Sequence, residues 1–175
     1  MLNKEIEQAL NKQVNAELFA SYLYYSMAAY FDSLNLGGFA HWMRVQALEE
    51  ATHAHRIYAF IIERGGKVAL AQIDGPGTAW DSPLAAFQAA YQHEIKVTKM
   101  INDLVDLAIE QRDHASNNFL QWYVKEQVEE EASADEVVQQ LRLIQDAKGG
   151  GGIFMLDREM AQRVFTMPPD LAPKI

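Results

Sequence analysis

Glu49-Glu50-Ala51-Thr52-His53 lies in the middle of a long apolar-periodic stretch. A helix turns by about 100° per residue, so Glu50 and His53 project from nearly the same face. The rest of that face is apolar, with Met43 and Ile57 seven residues either side of Glu50 and Phe39 and Ile61 eleven. The carboxylate is therefore expected to face the core. Three other stretches repeat the pattern: Glu17 lies between Leu10 and Tyr24, Glu94 between Phe87 and Ile101, and Glu130 between Tyr123 and Val137. Moving one carboxylate into a dry core costs several kcal/mol unless it is paired. No Lys or Arg falls within about 40° of these glutamates along their stripes. Four core-facing acids without basic partners require a cation.

Working outward from Glu50, the sequence predicts four long helices. The first starts at an Asn3 cap and runs to about Ser33, with Ile6, Leu10, Val14, Leu18 and Leu23 inward. Gly37-Gly38 sits in the break, and the second helix ends at Gly65-Gly66. Residues 67–81 carry Gly75-Pro76-Gly77 and no helical period, which makes a connection long enough to cross a bundle. Ser82-Pro83 opens the third helix, serine as cap and proline at the first helical position. Asp113 caps the fourth, which continues through Phe119, Tyr123, Val137 and Leu141 to about Ala147. Two long helices, a long connection and two more long helices describe an all-α four-helix bundle with one crossover. The glycines at 149–152 read as a joint before a short fifth helix over 153–165, which Met167-Pro168-Pro169 ends. Residues 1–147 are thus the bundle, and 148–175 the joint, fifth helix and tail of the same domain.

Composition narrows the function. With 175 residues, 49% of them hydrophobic, the chain has length for one substantial core. There are no cysteines, which excludes disulfides, zinc ribbons, iron–sulfur clusters and thiol nucleophiles together. A net charge of −9 and a pI near 5.0 argue against nucleic acid and favour metal cations. The N-terminus shows no signal-peptide organisation, and the most apolar stretch, residues 18–31, is shorter than a membrane span of about 20 residues. The expectation is a cytoplasmic protein with neither nucleic-acid nor membrane partners. Oxygen donors with a single imidazole suit iron or manganese. Glutamates from several helices can bridge two ions about 3.5–4 Å apart. The reading is a dinuclear iron site that shares Glu50.

Glu17, Tyr24, Glu50-x-x-His53, Glu94 and Glu126-Gln127-x-Glu129-Glu130, in this order and at bundle spacing, resemble the bacterial non-haem ferritins, within the ferritin-like di-iron family. The resemblance covers the chain from the first helix to the fifth. It implies one iron held by Glu17, Glu50 and His53, and another by Glu50, Glu94 and Glu130. It further implies Gln127 beside the oxygen-binding face, Tyr24 as a possible electron donor, and a third iron site of Glu49, Glu126 and Glu129 toward an inner cavity. The activity implied is ferroxidation: ferrous iron gives electrons to dioxygen or hydrogen peroxide, and the product is stored as a ferric mineral. The partners implied are copies of the chain, in a homo-oligomeric shell of twenty-four. Gln127-x-x-Glu130 stands where many di-iron proteins repeat Glu-x-x-His. Ala51 and Thr52 follow Glu50 where a bacterioferritin would carry a haem-binding methionine, so no haem is expected.

The main alternative is a di-iron or di-manganese oxygenase acting on an organic substrate, which needs an apolar pocket beside the metals. A structural bundle with chance acids is the other, and it predicts no metal. His41, His55, His93 and His114 fall off the glutamate line and read as surface residues. Tyr22, Tyr25, Tyr30 and Tyr58 read as packing or subunit contacts, and Met155 and Met160 as apolar filler. In the fifth helix, Leu156, Met160 and Val164 form one stripe. A helix this short is marginal in water and must bury that stripe. The resemblance implies burial among the same helices of neighbouring copies around a four-fold axis, and the alternative is docking on its own bundle.

Overall fold

Side-chain caps start three of the helices where the sequence places them. In the computed structural model, which describes residues 2–147 and 151–167, the Asn3 side chain accepts from Glu5 N at the start of α1 (Lys4–Ser33). Ser82 accepts from Ala85 N at the start of α3 (Pro83–Glu110), and Asp113 accepts from Ser116 N at the start of α4 (His114–Asp146). The second helix, α2 (Gly37–Glu63), has no cap of its own and takes one from far away in the chain. Asp157 Oδ1, on α5 (Gly152–Met160), accepts from Gly38 N at 2.8 Å and Phe39 N at 3.0 Å. Gly38 permits the approach, because a Cβ there would meet the Asp157 carbonyl. No strand occurs among the described residues.

The helices pack α1 on α2, α3 on α4 and α1 on α3, with α5 on α2 and α4. Residues 67–82 run along α1 from the foot of the bundle to its head. Asn11 holds both Lys67 O and Ala69 N, Asn15 accepts from Ala71 N, and Ser26 donates to Gly77 O. The crossover makes α3 run in the same direction as α2. Accordingly, Phe31, Phe39 and Phe87 meet at one end, with ring centroids 5.2 to 5.8 Å apart, and Ile6, Ile61, Ile101 and Leu120 meet at the other. The two apolar clusters are separate. Between them lies a layer of buried polar side chains: Gln13, Glu17, Gln46, Glu50, His53, Glu94, Gln127 and Glu130.

Several expectations need correction. Leu18 and Leu23 are half-buried at the rim rather than in the core, because the crossover and neighbouring side chains cover them only partly. The fifth helix ends at Met160, not 165. After it the chain turns so that Arg163 reaches back to α2, where its carbonyl oxygen lies 2.8 Å from His41 Nε2. The apolar stripe is consequently cut short. Leu156 and Met160 are buried in this subunit's own core, while Val164 is 76% exposed. Within one subunit Leu156 and Met160 thus dock α5 on its own bundle, while Phe154, Met155 and Val164 stay exposed. Met155, read as filler, points to solvent. The joint at Gly149 and Gly150 and the stop at Pro168-Pro169 lie outside the described residues.

Asp157→Ala is expected to lower the unfolding free energy by about 1 kcal/mol, since it removes the side chain that caps α2. Val164→Ala is expected to leave it unchanged. Denaturant titration of the two variants checks both.

Candidate metal centre

Each main helix contributes one glutamate to the polar layer. Glu17 comes from α1, Glu50 and His53 from α2, Glu94 from α3 and Glu130 from α4, and all five are between 1 and 5% exposed. Their hydrogen bonds come from amides and a phenol. Gln13 Nε2 donates to Glu17 at 2.9 Å, and Gln46 Nε2 donates to Glu130 at 2.6 Å and to Glu50 at 3.1 Å. Tyr24 OH donates to Glu94 Oε1, and Gln127 Nε2 reaches Glu94 Oε2 at 3.3 Å and Thr98 Oγ1 at 3.4 Å. Tyr123 OH donates to the His53 carbonyl at 2.9 Å, and the edges of Trp122 and Tyr123 wall the imidazole.

Two groups of these side chains could hold an ion. Ligand atoms of Glu17, Glu50 and His53 all lie within 4.8 Å of one another, and so do those of His53, Glu126 and Glu130. Glu17 Oε2 and His53 Nδ1 are buried without a hydrogen-bond partner, and a bound cation would supply one. Glu94 belongs to neither group, since Tyr24 and Gln127 hold its oxygens. Glu49 and Glu129 also stand apart. Glu49 pairs with Arg163 at 2.5 Å, and exposed Glu129 pairs with Lys125 at 3.5 Å.

Burial, reinforced by the charge of Glu50, pushes the Glu17 carboxyl from 4.5 up to about 8. Glu130 is likewise pushed to about 8 by burial and by Glu94. Burial takes Glu94 to about 7 although its bonds from Tyr24 and Gln127 pull the other way. Glu50 is raised well above its ordinary value by burial, then by Glu94 and Glu130. Without a cation, burial thus favours the protonated carboxyls, and a divalent ion reverses that preference.

Sequence reasoning missed Gln13 and Gln46. Both stand four residues before a buried glutamate, and this shared Gln-x-x-x-Glu spacing was the available signal. It also misplaced two histidines. His93 is largely covered, its ring tilted against Phe19 and edge-on to Tyr24, and burial lowers its pKa to about 4, helped by Lys96. His41 is half-buried under Arg163. Exposed His55 and His114 agree with a surface reading. An apolar cavity of about 470 Å³, lined by Val14, Leu18, Ala51, Ala54, His55, Tyr58 and Leu70, contains none of the layer's residues.

Comparison with known proteins converges on one group. The profile of the family described as ferritin-like domain matches residues 7–144. A bacterial non-heme ferritin of Bacteroides fragilis is 40% identical over 163 residues, 93% of this chain and 100% of that one. A bacterial non-heme ferritin of Campylobacter jejuni is 36% identical, covering 90% of this chain and 93% of its own. Among solved structures, an open pore ferritin of the archaeon Archaeoglobus fulgidus superposes with a TM-score of 0.91 at 50% identity, over 94% of this chain and 100% of that one. An engineered closed form of the A. fulgidus ferritin gives a TM-score of 0.92 at 51% identity, over 95% and 100%.

The raised carboxyl pKa values fix the sign of a pH effect. In the folded metal-free subunit these groups hold protons that the unfolded chain releases above about 4.5. Their contribution to stability is present below that pH and is lost as pH rises through about 7 and 8. Denaturant unfolding of metal-free protein from pH 5 to 8 is expected to show falling stability. Glu17→Gln removes one titrating group and should flatten the slope by on the order of 1.4 kcal/mol per pH unit at most.

Proposed function

The chain belongs to the ferritin family, and on that premise we propose that it oxidises ferrous iron at the buried glutamate layer and stores the ferric product inside a shell of its own copies. Iron storage is the function of the chain, and ferroxidation is how iron enters the store. The observation that carries this reading is the convergence of Glu17, Glu50, Glu94 and Glu130, one from each main helix, with His53 in a core that holds no other charged side chain among the described residues. Ferrous iron is the substrate. Glu17, Glu50 and His53 take one ion, Glu50, Glu94 and Glu130 a second, and each ion gives one electron to dioxygen or hydrogen peroxide. Carboxylates suit such a cycle because they bind both oxidation states and move between bridging and terminal positions as the product leaves.

Other residues serve the layer. Gln13, Gln46 and Gln127 orient the carboxylates by donating to them, and the apolar clusters on either side exclude water. Tyr24 is the reserve electron donor. Its hydroxyl already points at Glu94, so a phenolic proton has an acceptor when an electron departs. Glu49, Glu126 and Glu129 form the way out toward the interior, as a third iron site. Glu126 supports this, with Oε1 4.0 Å from His53 Nε2. Association of copies into a shell is supported by exposed Tyr22, Tyr25, Leu48, Tyr58 and Leu70 on α1, α2 and the crossover, and twenty-four is the number that resemblance to the ferritins implies. Among the described residues no helix is long and apolar enough to cross a membrane, and a cytoplasmic location is the reading adopted. Residues 1–147 and 148–175 form one domain, which the docking of α5 supports.

Aerobic addition of two Fe(II) per subunit, followed by stopped-flow absorbance, is expected to give a fast burst, with later iron retained in a particle of shell size. Glu50→Ala should slow the burst by about 10- to 100-fold. Glu129→Ala should keep it and change the oxygen consumed per iron afterwards. A Glu50→Ala burst of normal rate would refute the dinuclear assignment.

A further inference from the structure

Arg163 lies far from α2 in sequence, yet it ends beside the carboxylate that follows the dinuclear centre. Its Nη2 is 2.5 Å from Glu49 Oε2, and both side chains are about four-fifths covered, at 20% and 21% exposure. The pair is not a loose surface contact. Three further contacts fix it in place. The guanidinium stacks over Trp42 at 4.2 Å, the Arg163 carbonyl oxygen lies 2.8 Å from His41 Nε2, and Leu156 and Met160 anchor the preceding helix in the core. Glu49 directly precedes the layer's Glu50 on α2, which places it at the edge of the metal layer.

The fork of Arg163 is only half used. Nη1 is buried without a hydrogen-bond partner. Arg163 also lines a cavity of about 280 Å³ together with Trp42, Ser133, Glu136, Gln140 and Glu159. Two other carboxylates therefore line the same cavity as the guanidinium. A guanidinium and a divalent cation compete for the same carboxylate charge and lone pairs, so each weakens the other's hold on Glu49.

We propose that Arg163 is a positioning residue for iron transfer: a tethered cation that occupies Glu49 until a ferrous ion displaces it toward Glu136 and Glu159. The proposal rests on the assignment of Glu49 to the third iron site. An ion leaving the dinuclear centre gains both oxygens of Glu49 only when Arg163 gives up Oε2, so the C-terminal segment sets the affinity of the transfer site and leaves that of the first two ions alone. The released arginine keeps a carboxylate partner, and the exchange strands no charge.

Anaerobic calorimetric titration of the assembled protein with ferrous ion tests this. Arg163→Gln should bind the third ion per subunit about tenfold more tightly, because the site is no longer partly filled, with the first two unchanged. Arg163→Lys should fall between, and adding Glu49→Gln to Arg163→Gln should abolish the gain. Thermal unfolding reports whether the variants remain folded. A measurement on the unaltered protein does not depend on them: anaerobic ferrous loading should raise the rate at which phenylglyoxal modifies Arg163, read by peptide mass spectrometry. An unchanged or lowered rate, or third-ion affinity unchanged in Arg163→Gln, overturns the proposal while two-ion binding leaves the iron reading standing. Absence of two-ion binding in the unaltered protein overturns that reading and the arginine exchange with it.

Discussion

Four carboxylates held inside one apolar bundle dictate how everything around them is built. Each costs several kcal/mol to desolvate as an anion, and together they repel. The structure shows how the metal-free chain meets that cost. The acids are driven toward their neutral forms, with Glu17 and Glu130 near 8 and Glu94 near 7, and glutamine amides and the Tyr24 phenol supply donors to the remaining lone pairs. Such a layer is tolerable without metal and favourable with it. That asymmetry turns a destabilising feature into a site.

The fold serves this layer by keeping it dry and by holding the four helices in register. The aromatic cluster around Phe31, Phe39 and Phe87 closes one end, and the aliphatic cluster around Ile6, Ile61 and Ile101 closes the other. The crossover makes α2 and α3 parallel, so their glutamates can stand at one height. Its asparagine clamps on α1 tie that connection to the helix carrying Glu17. At the head of the bundle α5 completes α2, giving it the Asp157 cap and covering the core with Leu156 and Met160. The same segment then places Arg163 on Glu49.

The helices and the layer were legible in the sequence because both follow from local rules. Helical periodicity puts Glu17, Glu50, Glu94 and Glu130 on apolar faces whatever the partners are, and Asn3, Ser82 and Asp113 act on backbone groups two or three residues away. What the sequence does not display depends on the chain returning from a distance. An apolar stripe on α5 says that Leu156 must be buried, not what buries it. Nothing near Glu49 announces an arginine 114 residues away. His93 is off its helix's glutamate line, and only the packing of α1 against α3 shows that Phe19 and Tyr24 cover it. Resemblance to the ferritins extended the reading to ligand sets and a shell, while the metal-free geometry groups His53, rather than Glu50, with both clusters.

Anomalous diffraction from crystals soaked anaerobically with ferrous ion locates iron without reference to activity. The account predicts two iron peaks within the buried layer, bounded by Glu17, Glu50, His53, Glu94 and Glu130. Iron found only on the surface, with the layer empty and its carboxyls still bonded to Gln13, Gln46, Gln127 and Tyr24, would contradict it.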